Sequence, residues 1–352
     1  LEFRRVLFRS VLIGLLGDRK RCASLLNTTS EQLPFLMNKA YSKRLDPVVV
    51  AKGICQEIVH HCEDEGFDIR RLLPAIKATK EDAGPYITMG LCYGSDPETK
   101  ESDVTIHRLC LQSRDEMTMF FTPGIRHLDV FRKKAEAKNK ALPISISIGV
   151  DPAIEIAACF EPPTTPLGFN ELSIAGGIRN KPVELCKCVS IDEYAIAHSE
   201  YVIEGERLPG KRMREDQHTG LGKAMPEFPG YCGEANPSLP VIRVKAITHQ
   251  KNPIMRVCLG PGEEHVNLAG IPTEASILSL CEKAMPGKIR NVHCASSGGG
   301  KYIAVLQFVK RMESDEGRQR QAALLAFSAF SELKHVFLVD EDVDIYDMKD
   351  VL

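Results

Sequence analysis

The chain has 352 residues, 43% of them hydrophobic and 26% charged, with a formal net charge of −2. That is the composition of a globular protein long enough for two or three domains, and it carries no basic block of the kind that binds nucleic acid. No apolar run approaches the roughly 18 residues that span a bilayer, and the twelve cysteines are scattered without CxxC spacing, Cys186-x-Cys188 being the closest pair, which fits reduced thiols and a cytoplasmic setting.

In chain order, Leu1–Ser10 (LEFRRVLFRS) lacks an initiator Met and reads like translated adapter DNA, so it is left out of fold reasoning. With the stop at Leu352 soon after a strand-like run, the chain is expected to be a fragment cut at both ends. Residues 11–72 read as helix-rich. A helix is expected from Ser30 to about Ser42, capped by Ser30 or Thr29, and the apolar residues of 47–61 recur at helical spacing. His60-His61-Cys62 then falls at a solvated helix end, where adjacent side chains face different ways and do not make a metal site.

Asp82-Ala-Gly-Pro85 breaks the pattern, and from there to about Thr248 the signal is mostly β. Strands are expected over 86–93, 104–111, 117–121, 144–150, 184–190, 200–204 and 241–248, separated by turns rich in Pro and Gly, which suggests a barrel or sandwich. Within 102–127, Asp103, Thr105 and His107 share one strand face. A polar turn at 112–116 leads to a second strand closed by Thr122-Pro123-Gly124, with Arg126 and His127 just beyond. A carboxylate and an imidazole placed this way can share a metal ion, and a nearby arginine can clamp an anion. Residues 127–141 read as an exposed charged helix. Asp151 and Pro152 open another as N-cap and first residue.

Further helices are expected over 273–284 and 317–333, strands around a Gly298–Lys301 turn within 291–308, and a strand at 336–339. This α/β alternation marks a new domain. The expected division is 11–80, helix-rich; 81–275, the mostly β region; and 276–352, the start of the α/β region. Gly298-Gly-Gly-Lys301 lacks P-loop spacing, Asp340–Asp344 lacks the glycine and closing Glu of an EF-hand, and no GxSxG, HExxH or GxGxxG occurs.

Carboxylates recur in Pro- and Gly-rich settings at Glu161 and Glu171, Glu200 and Glu204, Glu227 and Glu234, and Glu263 and Glu264. Loops fixed in this way commonly carry catalytic groups. Glu200 and Glu204, four apart in a strand, are expected to share a face and to repel unless a cation or proton lies between them.

Several long segments, in order, carry a family resemblance. They are Asp64-Glu-Gly-Phe-Asp-Ile-Arg70, Asp82-Ala-Gly-Pro-Tyr-Ile-Thr88, Ser102-Asp-Val-Thr-Ile-His-Arg108, Phe160-Glu-Pro-Pro-Thr-Thr-Pro166, Lys223-Ala-Met-Pro-Glu-Phe-Pro-Gly-Tyr231 and Gly270-Ile-Pro-Thr-Glu-Ala-Ser-Ile277, followed by residues 319–330 and 339–346. Through them the chain resembles the UbiD family of decarboxylases, which use prenylated FMN, and within it the gallate and protocatechuate branch.

The resemblance implies an α+β fold with a central split β-barrel that binds the flavin, flanked by a helical N-terminal region and an α/β C-terminal domain. It implies Asp103, His127 and Glu171 as ligands of a Mn²⁺-like ion, with K⁺ on backbone carbonyls around Ala157, Ala158 and Phe160. Cofactor contacts are implied for Thr105, Ile106, His107, Arg108, Arg126, Phe160 and Glu161. A Glu–Arg–acid trio maps onto Glu227, Arg108 and Glu234, the last across a small insertion after Pro229. His265 is a candidate partner for a ring hydroxyl. A lysine that contacts the flavin in some relatives has no equivalent, Ser328 falling near its place.

The implied activity is reversible, non-oxidative decarboxylation of a hydroxylated benzoic acid through a covalent adduct with the cofactor. Arg108 would grip the substrate carboxylate while Glu227 or Glu234 protonates the ring. Implied partners are the aromatic acid, a flavin prenyltransferase that supplies the cofactor, and further copies of the chain. Alternatives are a relative acting on 4-hydroxybenzoate, vanillate or a polyprenyl hydroxybenzoate, or a non-catalytic flavin-binding or assembly subunit.

Overall fold

A computed structural model describes residues 10–121 and 127–352. Arg126 and the Thr122–Gly124 turn lie outside the described residues. Seven strands form the central sheet: β1 (Ile58–His61), β2 (Tyr86–Ser95), β3 (Ser102–Leu111), β4 (Glu116–Met119), β5 (Leu142–Ile148), β6 (Tyr201–Met213) and β7 (Leu239–His249). Their order is β6-β5-β2-β3-β4-β7-β1, and β6 also pairs with β7. Six strands therefore close an antiparallel barrel, with β1 added outside on β7. Closure removes the exposed edges that an open sheet would present. Alternating apolar residues such as Leu109, Met117, Ile144, Ile203 and Ile242 fill the barrel.

The expected strands of 86–248 all appear. The helix expected over 47–61 does not. Val48–Val50 pairs in parallel with Glu184–Lys187, and Ile58–His61 pairs with β7. Three consecutive β-branched valines favour a pleated surface, and the neighbouring strands outweigh the helical spacing. The expected conflict between Glu200 and Glu204 is also absent. Glu200 lies ahead of β6 and accepts from the Ile254 amide (3.0 Å), whereas Glu204 accepts from the amides of Val189 and Ser190 (2.9 and 2.7 Å).

Helices α1 (Arg19–Leu25) and α2 (Leu33–Ser42) precede the barrel, α2 entered through a 3₁₀ turn at Ser30–Gln32 without a side-chain cap from Thr29. α3 (His127–Ala137), α4 (Pro152–Ala157) and α5 (Leu172–Arg179) lie within the barrel region. Asp151 caps α4 as expected, accepting from the Ala153 amide at 2.8 Å. α6 (Glu263–Ala284) begins ten residues before its expected start and runs through Pro272. A mid-helix proline removes one hydrogen bond, but α6 is buried over most of its length and packing against α2, α4 and the following sheet holds it. α6 also continues across the expected boundary at 275. Beyond it, Ile289–Cys294, Ile303–Phe308 and His335–Val339 form a three-stranded sheet with α7 (Arg318–Ala329) packed beside it.

Candidate active site

β3 places its chemistry at two points. Near its start, Asp103 is 2% exposed, and its neighbour in space is His127, the first residue of α3, which is 7% exposed. His127 Nδ1 lies 3.1 Å from Asp103 Oδ1. Glu171, 2% exposed, precedes α5 and completes the cluster, with one ligand atom from each residue within 4.8 Å of the others. Thr105 donates to the second Asp103 oxygen at 2.8 Å. Burial first, and the Asp103 charge second, hold the Glu171 carboxyl well above the usual carboxylate range. Its Oε2 is buried and has no hydrogen-bond partner among the described residues. An orphaned oxygen beside a second carboxylate and an imidazole fits a bound cation.

Five residues on, the register between β2 and β3 slips. Ile87 faces Leu109 and Gly90 faces His107, so Thr88 and Met89 stand opposite Arg108 alone. This bulge re-aims the strand, and the consecutive residues Ile106, His107 and Arg108 all line one cavity of about 360 Å³, instead of alternating between faces. Gly90 permits the close approach, since a Cβ there would meet Ile146 at 2.8 Å.

Arg108 donates to Glu227 through Nη1 and to Glu215 through Nη2 (3.2 Å), with Nε also 3.2 Å from Glu215; its guanidinium lies 4.2 Å from the centre of the Phe120 ring. Burial lowers its pKa, but the two carboxylates outweigh that and raise it. One N–H on each Nη nitrogen makes these bonds, so the other N–H on each is left for a ligand.

The same cavity takes Glu161, Glu227, Phe228, His265, Lys301 and Glu332 into its walls. Phe228 packs between His265 (5.3 Å) and Tyr302 (5.2 Å), and Lys301 pairs with Glu332 at 2.9 Å. Burial, and then the Lys301 charge, push His265 down to about 4. His265 is therefore a neutral imidazole near pH 7, suited to accept a hydrogen bond from a hydroxyl. His107 donates from Nδ1 to the Phe120 carbonyl at 3.0 Å. Phe160 is buried just before Glu161.

Of the four expected catalytic residues, Arg108, Glu227 and His265 line this cavity and Glu234 does not. It is exposed at the end of Cys232–Glu234 and lines a shallower neighbouring cleft that shares Arg108, Phe120 and Glu227 with the cavity. The second carboxylate on Arg108 is Glu215, held by Tyr86 Oη and the Asn236 amide, both at 3.0 Å. Its place across the insertion after Pro229 made Glu234 a poor match, and no local pattern marked Glu215. Ser328, near the place of the lysine that some relatives carry, is exposed on α7, and a different lysine, Lys301, lines the cavity from the glycine turn.

A closed barrel carries a buried carboxylate–imidazole cluster at one end of a strand and an arginine-lined cavity at the other, and its family matches make the chain a carboxy-lyase. The family model described as the 3-octaprenyl-4-hydroxybenzoate carboxy-lyase Rift-related domain matches residues 48–264, and the C-terminal domain of the same carboxy-lyase matches 266–352. The chain belongs to the UbiD family. It is 53% identical over 344 residues to a gallate decarboxylase of Lactiplantibacillus plantarum, covering 97% of this chain and 70% of that protein. The apo structure of a 3,4-dihydroxybenzoic acid decarboxylase from Enterobacter cloacae is 55% identical, with a TM-score of 0.92 over 97% of this chain and 70% of that one. The UbiD-class enzyme HmfF from Pelotomaculum thermopropionicum in complex with prFMN is 34% identical, with a TM-score of 0.88 over 97% and 76%. Among the described residues, no helix is long and apolar enough to cross a membrane.

Proposed function

We propose that the chain catalyses the reversible, non-oxidative decarboxylation of a hydroxylated benzoic acid, gallate or 3,4-dihydroxybenzoate, with prenylated FMN as cofactor. The observation that carries this reading is Arg108, set between two carboxylates in the wall of a cavity one strand-length from the Asp103–His127–Glu171 cluster. Two oxygen ligands and one imidazole suit Mn²⁺ or Mg²⁺, which would neutralise a cofactor phosphate, with K⁺ on the carbonyls around Ala157, Ala158 and Phe160. Thr105, Ile106, His107, Arg126, Phe160 and Glu161 would hold the flavin. Bound there, prenylated FMN supplies an electrophilic carbon that takes up the electrons left by departing CO₂.

The chain's own residues do the rest. The two remaining Arg108 donors fork the substrate carboxylate against the ring-binding wall. Glu215 holds the guanidinium in place, and Phe120 and Phe228 keep the site dry. Glu227, paired with Arg108 in the cavity wall, is the carboxyl placed to deliver a proton to the ring carbon. Neutral His265 accepts a hydrogen bond from a ring hydroxyl. A flavin prenyltransferase supplies the cofactor, and the working enzyme is an oligomer in the cytoplasm.

The test is co-expression with that prenyltransferase, followed by visible absorbance and CO₂ release from gallate and 3,4-dihydroxybenzoate. Coloured protein that releases CO₂ from either acid is expected. Coloured protein inert toward both, yet active on another acid, would move the substrate; colourless, inert protein would overturn the reading.

A further inference from the structure

Outside the cavity, the notable pair of chemically active side chains is His60 and His249, at the outer edge of the barrel sheet. In the antiparallel pairing of β1 with β7, Ile58 faces His249 and Ile247 faces His60. The two histidines are therefore diagonal neighbours on one face. Both are half-buried. Their Nε2 atoms are 3.1 Å apart and their rings are stacked with centroids at 5.2 Å. Tyr201, directly across β6 from His249, lies 5.5 Å away ring to ring.

The tautomer of His249 follows from its other nitrogen. Nδ1 is 2.6 Å from the Gln250 carbonyl oxygen. A carbonyl only accepts, so Nδ1 carries the proton and Nε2 of the neutral ring turns its lone pair toward His60. A backbone carbonyl on the far nitrogen is the outer bond that fixes the orientation of metal-ligating imidazoles.

We propose that His60 and His249 form a second metal site, taking a borderline divalent cation such as Zn²⁺, Ni²⁺ or Cu²⁺ through their Nε2 atoms, with water completing the coordination. Two Zn–N bonds at a tetrahedral angle place the nitrogens about 3.4 Å apart, so the pair opens by only a few tenths of an ångström. The cation takes the place of the proton shared between the two Nε2 atoms, which passes to solvent, and gives up water molecules as it binds. An all-nitrogen pair is softer than the oxygen-rich Asp103–His127–Glu171 cluster, so the two sites sort metals by ligand type. A cation here would pin β1, the strand added outside the closed barrel, to β7.

The site is tested by titrating ZnCl₂ into the chain in Mg²⁺-containing buffer, using His127→Ala to remove the imidazole of the other cluster. His127→Ala should retain one zinc per chain, and adding His60→Ala or His249→Ala should weaken it by at least about tenfold. Unchanged affinity in either added histidine variant, or no zinc retained by His127→Ala, overturns the proposal. A second measurement leaves the pair intact: pulsed EPR of Cu²⁺ bound to the His127→Ala chain should show two coupled imidazoles, and one or none overturns it.

Discussion

Arg108 holds Glu215 with two nitrogens, Nε and Nη2, each 3.2 Å from a carboxylate oxygen. The two residues are 107 positions apart in sequence, and Glu215 is 1% exposed. Removing Glu215 leaves Arg108 with Glu227 as its one remaining carboxylate partner. Glu215→Ala should therefore cost about 1.5–3 kcal/mol, the range for a lost hydrogen bond to a charged group, seen as a lowered urea midpoint at unchanged slope. Glu215→Gln keeps the shape and should cost less stability while still lowering kcat/KM through a loosened Arg108.

Glu227 and Glu234 should separate cleanly. Glu227→Gln removes the proposed proton donor and should lower kcat by about 10²–10⁴ with the far-ultraviolet spectrum unchanged. Arg108→Ala should abolish turnover. Glu234→Gln, in the neighbouring cleft, should turn over close to the parent chain. Steady-state kinetics on gallate decide it: a Glu234→Gln loss as large as that of Glu227→Gln would return Glu234 to the trio.

The metal cluster makes a prediction that does not require turnover. Glu171→Gln keeps the buried volume but removes one anionic ligand, so Mn²⁺ retained after desalting should fall, as counted by EPR of the released ion. Chelation should destabilise the parent chain by up to about 2.7 kcal/mol relative to metal at a hundredfold excess over Kd and have a smaller effect on the variant.

His265 sets a pH dependence of stability. Its folded pKa, about 4, lies below the 6.5 of a free histidine, so between these values the unfolded chain binds more protons. Stability then rises with pH across that window, is complete above about 6.5 and is lost below about 4, a span of roughly 3 kcal/mol for this group. The raised carboxyl of Glu155, pushed up to about 7 by burial despite Arg256, works in the opposite sense. The measurement is therefore a difference: His265→Gln should flatten the rise relative to the parent chain between pH 4 and 6.5.

The barrel was legible because its strands alternate and its turns carry Pro and Gly. Residues 47–61 were not, because three-residue pieces that borrow partners from distant strands leave only an apolar spacing that mimics a helix. The cluster of Asp103, His127 and Glu171 and the bond between Arg108 and Glu227 came from residue-by-residue resemblance, which works where the chain keeps its length. It was weakest at Glu234, which lies past an insertion and in the neighbouring cleft, and it passed over Glu215, whose contact with Arg108 has no local mark. Lys301 was noticed only as part of a failed phosphate-loop spacing, although the turn that disqualified it is what delivers it to the cavity.

Asp103 and Arg108 stand five residues apart on one extended strand, and at 3.2–3.4 Å per residue β3 is a ruler about 17 Å long. A single benzoic acid is far too short to be read at both marks, so under the proposed function one end meets the tail of a long ligand and the other the head of a small one. Deleting two residues between them would preserve every side-chain direction and shorten the ruler by about 7 Å, leaving both ends chemically intact and no longer able to serve the same molecule.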